Sequence, residues 1–112
     1  MLDGIGIVTG AGSGIGRECA LAFAFAGVAG VVFADKNFNA ARAAAESSHP
    51  IAKSASYCSF AVAVDVTDRS SVDAMVSQTL GKFGRVDYCV NAAGVSAEHN
   101  EVAVPWTIAE LL

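Results

Sequence analysis

Basic residues are scarce in this 112-residue chain: seven Lys and Arg stand against eleven Asp and Glu, for a net charge of −4. The seven are scattered. No stripe of positive charge exists to follow a phosphate backbone or an anionic bilayer, so no nucleic-acid and no membrane partner is expected. Long apolar runs are also lacking. The longest, residues 20–34, falls short of the ~20 residues of a membrane span, and Gly27 and Gly30 divide it. The N-terminus, Met1-Leu2-Asp3, has no basic residue ahead of its apolar stretch and does not read as a signal peptide. The three cysteines, Cys19, Cys58 and Cys89, form no CxxC pair and are read as reduced, buried thiols of a cytoplasmic protein. His49 and His99 have no second ligand at helical spacing, so no metal site is expected.

What the chain has in quantity is apolar surface: 54% of its residues are hydrophobic, enough for one modest domain. Residues 5–9, 31–34, 60–64 and 86–90 are short apolar runs that read as strands buried on both faces. Residues 14–26 are free of proline and stop at Gly27, as a helix does at its C-terminal glycine. Asn37 caps a second, alanine-rich helix that is over by His49-Pro50. After Asp68, residues Val72, Met75, Val76, Thr79, Leu80 and Phe83 repeat with helical spacing, and Gly84 stops the run. The order is β-α-β-α-β-α-β, which predicts an α/β fold: a doubly wound parallel sheet. Right-handed crossovers put the first two helices on one face and the third on the other, giving strand order 3-2-1-4.

The turn from the first strand into the first helix reads Thr9-Gly-Ala-Gly-Ser-Gly-Ile-Gly16. Glycine at Gly10 allows a sharp turn, at Gly14 the close approach of a pyrophosphate, and at Gly16 tight packing of the helix. The open N–H groups and positive end of the helix then face the phosphates, and Ser13 adds a hydroxyl. Asp35 ends the second strand 19 residues beyond Gly16, near the ~20 expected of an acid that meets an adenosine ribose hydroxyl. A carboxylate there repels a 2′-phosphate, which selects NAD over NADP, although Lys36 follows it directly. A solvated turn residue is the plainer alternative for Asp35.

The loop does not match the general G-x-G-x-x-G pattern of dinucleotide-binding folds. Its glycines at 10, 14 and 16 resemble instead the T-G-x-x-x-G-I-G motif of the short-chain dehydrogenase/reductase family. Position 13 lacks the basic residue that NADP-preferring relatives often carry. Asp65-Val66, after the third strand, resembles the family's aspartate whose side chain and neighbouring amide meet the adenine; Asp65 or Asp68 as a simple helix cap is the competing reading. Asn91-Ala92-Ala93-Gly94 resembles the family's N-N-A-G, whose asparagine steadies the sheet and whose small residues leave room for the cofactor's ribose. The resemblance implies a Rossmann-type NAD(P)-binding domain spanning residues 1–112. It implies a cofactor site of Gly10, Ser13, Gly14, Ile15, Gly16, Asp35, Asp65, Val66, Asn91, Ala92 and Gly94, with NAD as the expected ligand and NADP the less favoured one.

The family's serine and its tyrosine–lysine pair, Y-x-x-x-K, have no match. Neither Tyr57 nor Tyr88 has a lysine four residues on, so no residue is assigned to catalysis. Thr107-Ile-Ala-Glu110 reads as a capping box that starts a helix two residues before Leu112. The expectation is therefore an incomplete domain, inactive alone, with its fourth strand at an open edge that invites self-association. A small-molecule substrate would bind only a complete chain. The leading function is the NAD-binding portion of an oxidoreductase. A non-catalytic NAD-binding or subunit-pairing module stands beside it, as does, more remotely, an S-adenosylmethionine-dependent methyltransferase. A P-loop kinase is set aside, because no G-K-[ST] follows the glycines.

Overall fold

The computed structural model describes residues 2–93, so Gly94, the loop at 95–105, His99 and the capping box at 107–110 lie outside the described residues. The elements run β1 (Ile5–Thr9), α1 (Gly14–Ala26), β2 (Gly30–Asp35), α2 (Phe38–Ser48), a 3₁₀ turn (His49–Ile51), β3 (Cys58–Ala63), α3 (Arg69–Phe83) and β4 (Tyr88–Asn91). All strand pairs are parallel and the order is β3-β2-β1-β4, as the crossover rule predicts. The register aligns Thr9 with Ala34 and with Asn91, and Asp35 with Ala63. The C-terminal ends of all four strands therefore lie along one rim, and β1, flanked by β2 and β4, is where the winding reverses.

Period-2 alternation sends neighbouring residues of each strand to opposite faces. Ile7, Val32, Ala34, Val62 and Cys89 face α3 and meet Val72 and Met75. Val8, Val31 and Phe33 face α1 and α2, and meet Ala20, Ala41, Ala44 and Ala45. Phe23 of α1 also stacks on Tyr88 of β4, with ring centroids 5.5 Å apart. Burial pushes the Cys89 thiol up to about 11, so it stays protonated at neutral pH.

The caps follow the sequence. Gly27 and Gly84 take left-handed conformations at the ends of α1 and α3. Asn37 Oδ1 accepts from the Ala40 amide at 3.1 Å, and Asp68 Oδ1 from the Ser70 amide at 3.0 Å. Asp68 is thus the cap of α3, and Asp65 is left for another role. One expectation fails on α3. Val72, Met75 and Thr79 are buried and Val76 and Phe83 pack on the core, but Leu80 is 47% exposed. Leu80 lies about 80° around the helix from Val72, outside the arc that faces the sheet. Strand bounds also shift: the third strand starts earlier, at Cys58, and the fourth later, at Tyr88.

β1 and β4 are tied at their entry by a carboxylate. Asp87 Oδ2 accepts from the Ile5 amide at 2.8 Å, while Asp87 Oδ1 accepts from Arg85 Nη2 at 2.6 Å. Arg85, and then the Ile5 amide, hold the Asp87 carboxyl below its usual value. A depressed folded-state pKa adds stability above the unfolded value, and this is lost as pH falls through the folded one. Asp87→Ala, which leaves the Ile5 amide without its acceptor, is expected to cost about 1–3 kcal/mol. Thermal melts of variant and wild type should differ near neutral pH and converge once acid protonates Asp87. A constant gap into strong acid would show that the carboxylate's charge is irrelevant.

Candidate cofactor site

The glycine turn is built from two steric facts. Gly10 has φ +73°, and a Cβ there would lie 2.8 Å from the Ala93 amide nitrogen. At Gly16 a Cβ would overlap the carbonyl of Gly10 itself. The first turn of α1 therefore rests directly on the loop that precedes it, and the loop on the segment that follows β4. Gly14 differs: its φ is +56° and nothing lies within 4 Å of where its Cβ would be. The space above Gly14 is open.

The amides of Gly14, Ile15 and Gly16, the first three of α1, take no acceptor among the described residues. No acidic side chain sits in this first turn to compete for them. Ser13 occupies the N-cap with an extended backbone, and its side chain makes no capping bond, which leaves its hydroxyl to the solvent side. Ile15 is 61% exposed, a large apolar side chain at the same mouth.

A cleft of about 490 Å³ runs along the rim. It brings together Gly10, Ser13, Gly14, Ile15, Gly16, Asp35, Asp65, Val66 and Ala92 of the expected residues. Lys36 and Ala93, named above only beside Asp35 and Ala92, join them, as do Val64 and Thr67, which the sequence did not single out. Their signal was positional: each sits on the segment just beyond a strand's C-terminal end, where crossover loops gather. Asn91 is not among the lining residues. It ends β4, and its Oδ1 accepts from Thr9 Oγ1 at 2.7 Å, a bond between neighbouring strands that fits its expected role in steadying the sheet.

The two acids of the cleft are held differently. Asp35 Oδ2 accepts from the Gly12 amide and Oδ1 from the Asn37 amide, both at 2.9 Å. Asp65 Oδ1 accepts from Thr67 Oγ1 at 2.6 Å and from the Thr67 amide at 3.0 Å. The Thr67 hydroxyl first, then its amide, and more weakly Lys36, hold the Asp65 carboxyl below its usual value. Its Oδ2 remains for the cleft, and the adjacent Val66 amide has no acceptor among the described residues. Acceptor and donor thus stand side by side at one end of the cleft, while the α1 amides stand at the glycine turn. No group of His, Cys, Asp and Glu that could hold a metal ion occurs among the described residues. No helix among them is long and apolar enough to cross a membrane.

The steric distinction between the glycines has a measurable consequence. Gly14→Ala strains only the backbone, at about 1–2 kcal/mol for a left-handed residue. Gly16→Ala forces helix and loop apart and should cost more, even though Gly16 itself has no positive φ. Urea denaturation of both variants checks the order, and a smaller loss for Gly16→Ala would contradict this account of the turn.

A family model described as short chain dehydrogenase matches residues 5–107. A short-chain dehydrogenase of Penicillium roqueforti is 47% identical over 110 residues, which is 98% of this chain and 40% of that protein. The 7alpha-hydroxysteroid dehydrogenase of Escherichia coli is 40% identical over 94 residues, 83% of this chain and 35% of its own length. A solved structure of that activity, complexed with NADH and 7-oxo glycochenodeoxycholic acid, is similar with a TM-score of 0.69 at 36% identity. The match covers 78% of this chain and 32% of that one. The chain spans at most 40% of the length of these relatives. Sequence, strand order and glycine turn agree: the chain belongs to the short-chain dehydrogenase family, a family that binds nicotinamide cofactors.

Proposed function

We propose that this chain holds the adenosine and pyrophosphate of NAD(H), in preference to NADP(H), for an oxidoreductase that moves hydride between the nicotinamide and an alcohol or carbonyl substrate. The observation that carries this reading is the single cleft joining the open α1 amides, Asp35 and the Asp65–Val66 pair. The amides offer donors and the positive helix end to the pyrophosphate. Asp35 accepts from the ribose hydroxyls and opposes a 2′-phosphate by like charge. Lys36 lines the same cleft, but as a flexible ammonium facing Asp65 it offsets that repulsion only in part. Asp65 Oδ2 and the Val66 amide form an acceptor–donor pair that matches the 6-amino group and N1 of adenine. The three thiols, free among the described residues, fit a reducing compartment, and we place the protein in the cytoplasm.

Hydride transfer itself needs a proton donor and acceptor, and neither Tyr57 nor Tyr88 fits that role. Burial raises the Tyr57 pKa, and its hydroxyl pairs with Ser48 at 2.7 Å, at the end of β3 opposite the cleft. Tyr88 packs on Phe23.

Calorimetry with NADH and NADPH tests the proposal. Wild type is expected to prefer NADH, and Asp35→Ala to remove that preference chiefly by weakening NADH. An unchanged ratio would show that Asp35 does not read the ribose. The adenine end is tested with nicotinamide hypoxanthine dinucleotide, whose base reverses the pattern of adenine by presenting a 6-oxo acceptor and an N1–H donor. Two mismatched hydrogen bonds should weaken its binding at least tenfold relative to NAD, at about 1–3 kcal/mol for each group left unpaired. Equal affinity would exclude Asp65 and Val66 from contact with the base.

A further inference from the structure

Gly12 is the one glycine of the turn that the motif leaves unassigned. Its backbone does not demand glycine: the positive-φ glycines are Gly4, Gly10, Gly14, Gly27 and Gly84. What excludes a side chain at 12 is space. A Cβ there would stand 2.7 Å from Ala40 Cβ in α2 and 2.8 Å from Asp35 Oδ2. The same residue donates its amide to that Oδ2 at 2.9 Å, while Asn37, at the start of α2, donates to Oδ1. Two backbone amides from different segments thus grip both oxygens of one carboxylate. A carboxylate has about four acceptor positions, so acceptor capacity remains for the cleft that Asp35 lines.

We infer that Gly12 is a positioning residue for cofactor selection: its amide, and the absence of a side chain, fix the Asp35 carboxylate so that it accepts from a ribose diol and cannot swing aside for a 2′-phosphate. This rests on the reading of Asp35 given above. An unheld aspartate turns about two side-chain bonds and can retreat from a bulky anion, and a held one cannot. Selection against the phosphorylated cofactor then depends on rigidity as well as charge. Substitution at 12 pushes against the carboxylate and against α2, and releases the grip on Oδ2.

The test is a double-mutant cycle on the full chain, with NADH and NADPH each titrated by calorimetry into wild type, Gly12→Ala, Asp35→Ala and the double variant. Gly12→Ala is expected to shrink the NADH-over-NADPH preference by about tenfold, the worth of one hydrogen bond to a charged group. NADPH affinity should hold or rise. In the Asp35→Ala background the same substitution should leave the ratio unchanged, because the group it positions is gone. Equal weakening of both dinucleotides would overturn the inference, since a merely loosened turn harms the shared pyrophosphate contacts alike. A ratio shift that persists without Asp35 would overturn it too. If Gly12→Ala does not fold, Gly12→Ala/Ala40→Gly removes the clash with α2, leaves Asp35 as the neighbour under pressure, and is judged by the same ratios. If instead Asp35→Ala alone leaves the wild-type preference intact, the reading of Asp35 fails, and the inference about Gly12 falls with it.

Discussion

The contact between Gly16 and the carbonyl of Gly10 governs the geometry of this molecule's working rim. Because no Cβ stands between them, the first turn of α1 descends onto the loop that feeds it. Everything at the rim then follows from where that helix begins. The amides of Gly14, Ile15 and Gly16 open onto the cleft instead of onto bulk solvent, and the loop between Gly10 and Ser13 is pressed toward the end of β2. A helix starting a few ångströms further out would keep its dipole but lose the enclosure that makes the dipole useful.

The same compression links motifs that lie far apart in the chain. Gly10 lies against Ala92 and Ala93 beyond β4. Thr9 donates its hydroxyl to Asn91, and the Ala92 amide returns to the Thr9 carbonyl at 3.1 Å. Gly12 reaches Asp35 beyond β2. The strand ends are therefore bound to one another by short polar contacts as well as by the sheet, and the cleft's walls form a connected piece of backbone. Such a surface changes little on binding a ligand, which reduces the entropy lost when it does.

Much of this was legible beforehand, for reasons that are local. Alternation within strands, the caps Asn37 and Asp68, and the stops at Gly27 and Gly84 are each set by a few neighbouring residues. The crossover rule then converts the placement of two helices on one face and one on the other into the strand order. What escaped notice depends on distance in the chain. The partners of Gly12 and Asp87 are 23 and 82 residues away, and no periodicity records such pairs. Leu80 departs from the sequence pattern because a stripe of apolar residues has a width, and its edge on α3 turns away from the core. Lys36, Val64 and Thr67 carry no motif at all; they belong to the cleft because of where their strands end.

The two faces of the sheet are packed in opposite ways, and this bears on how the protein can change over generations. On the α1–α2 side the helices present Gly16, Ala20, Ala24, Ala41, Ala44 and Ala45 to the strands. These side chains hold little volume, so shortening them removes almost nothing, while each added methylene group meets a filled interface at a cost of about 1–3 kcal/mol. On the α3 side Val72 and Met75 supply bulk. Trimming them opens cavities worth about 2–5 kcal/mol when a methionine is cut to alanine, whereas exchanges of similar volume are absorbed. Drift should therefore accumulate on the α3 face, among interchangeable aliphatic residues. The face nearest the glycine turn is held to small residues by its own thinness.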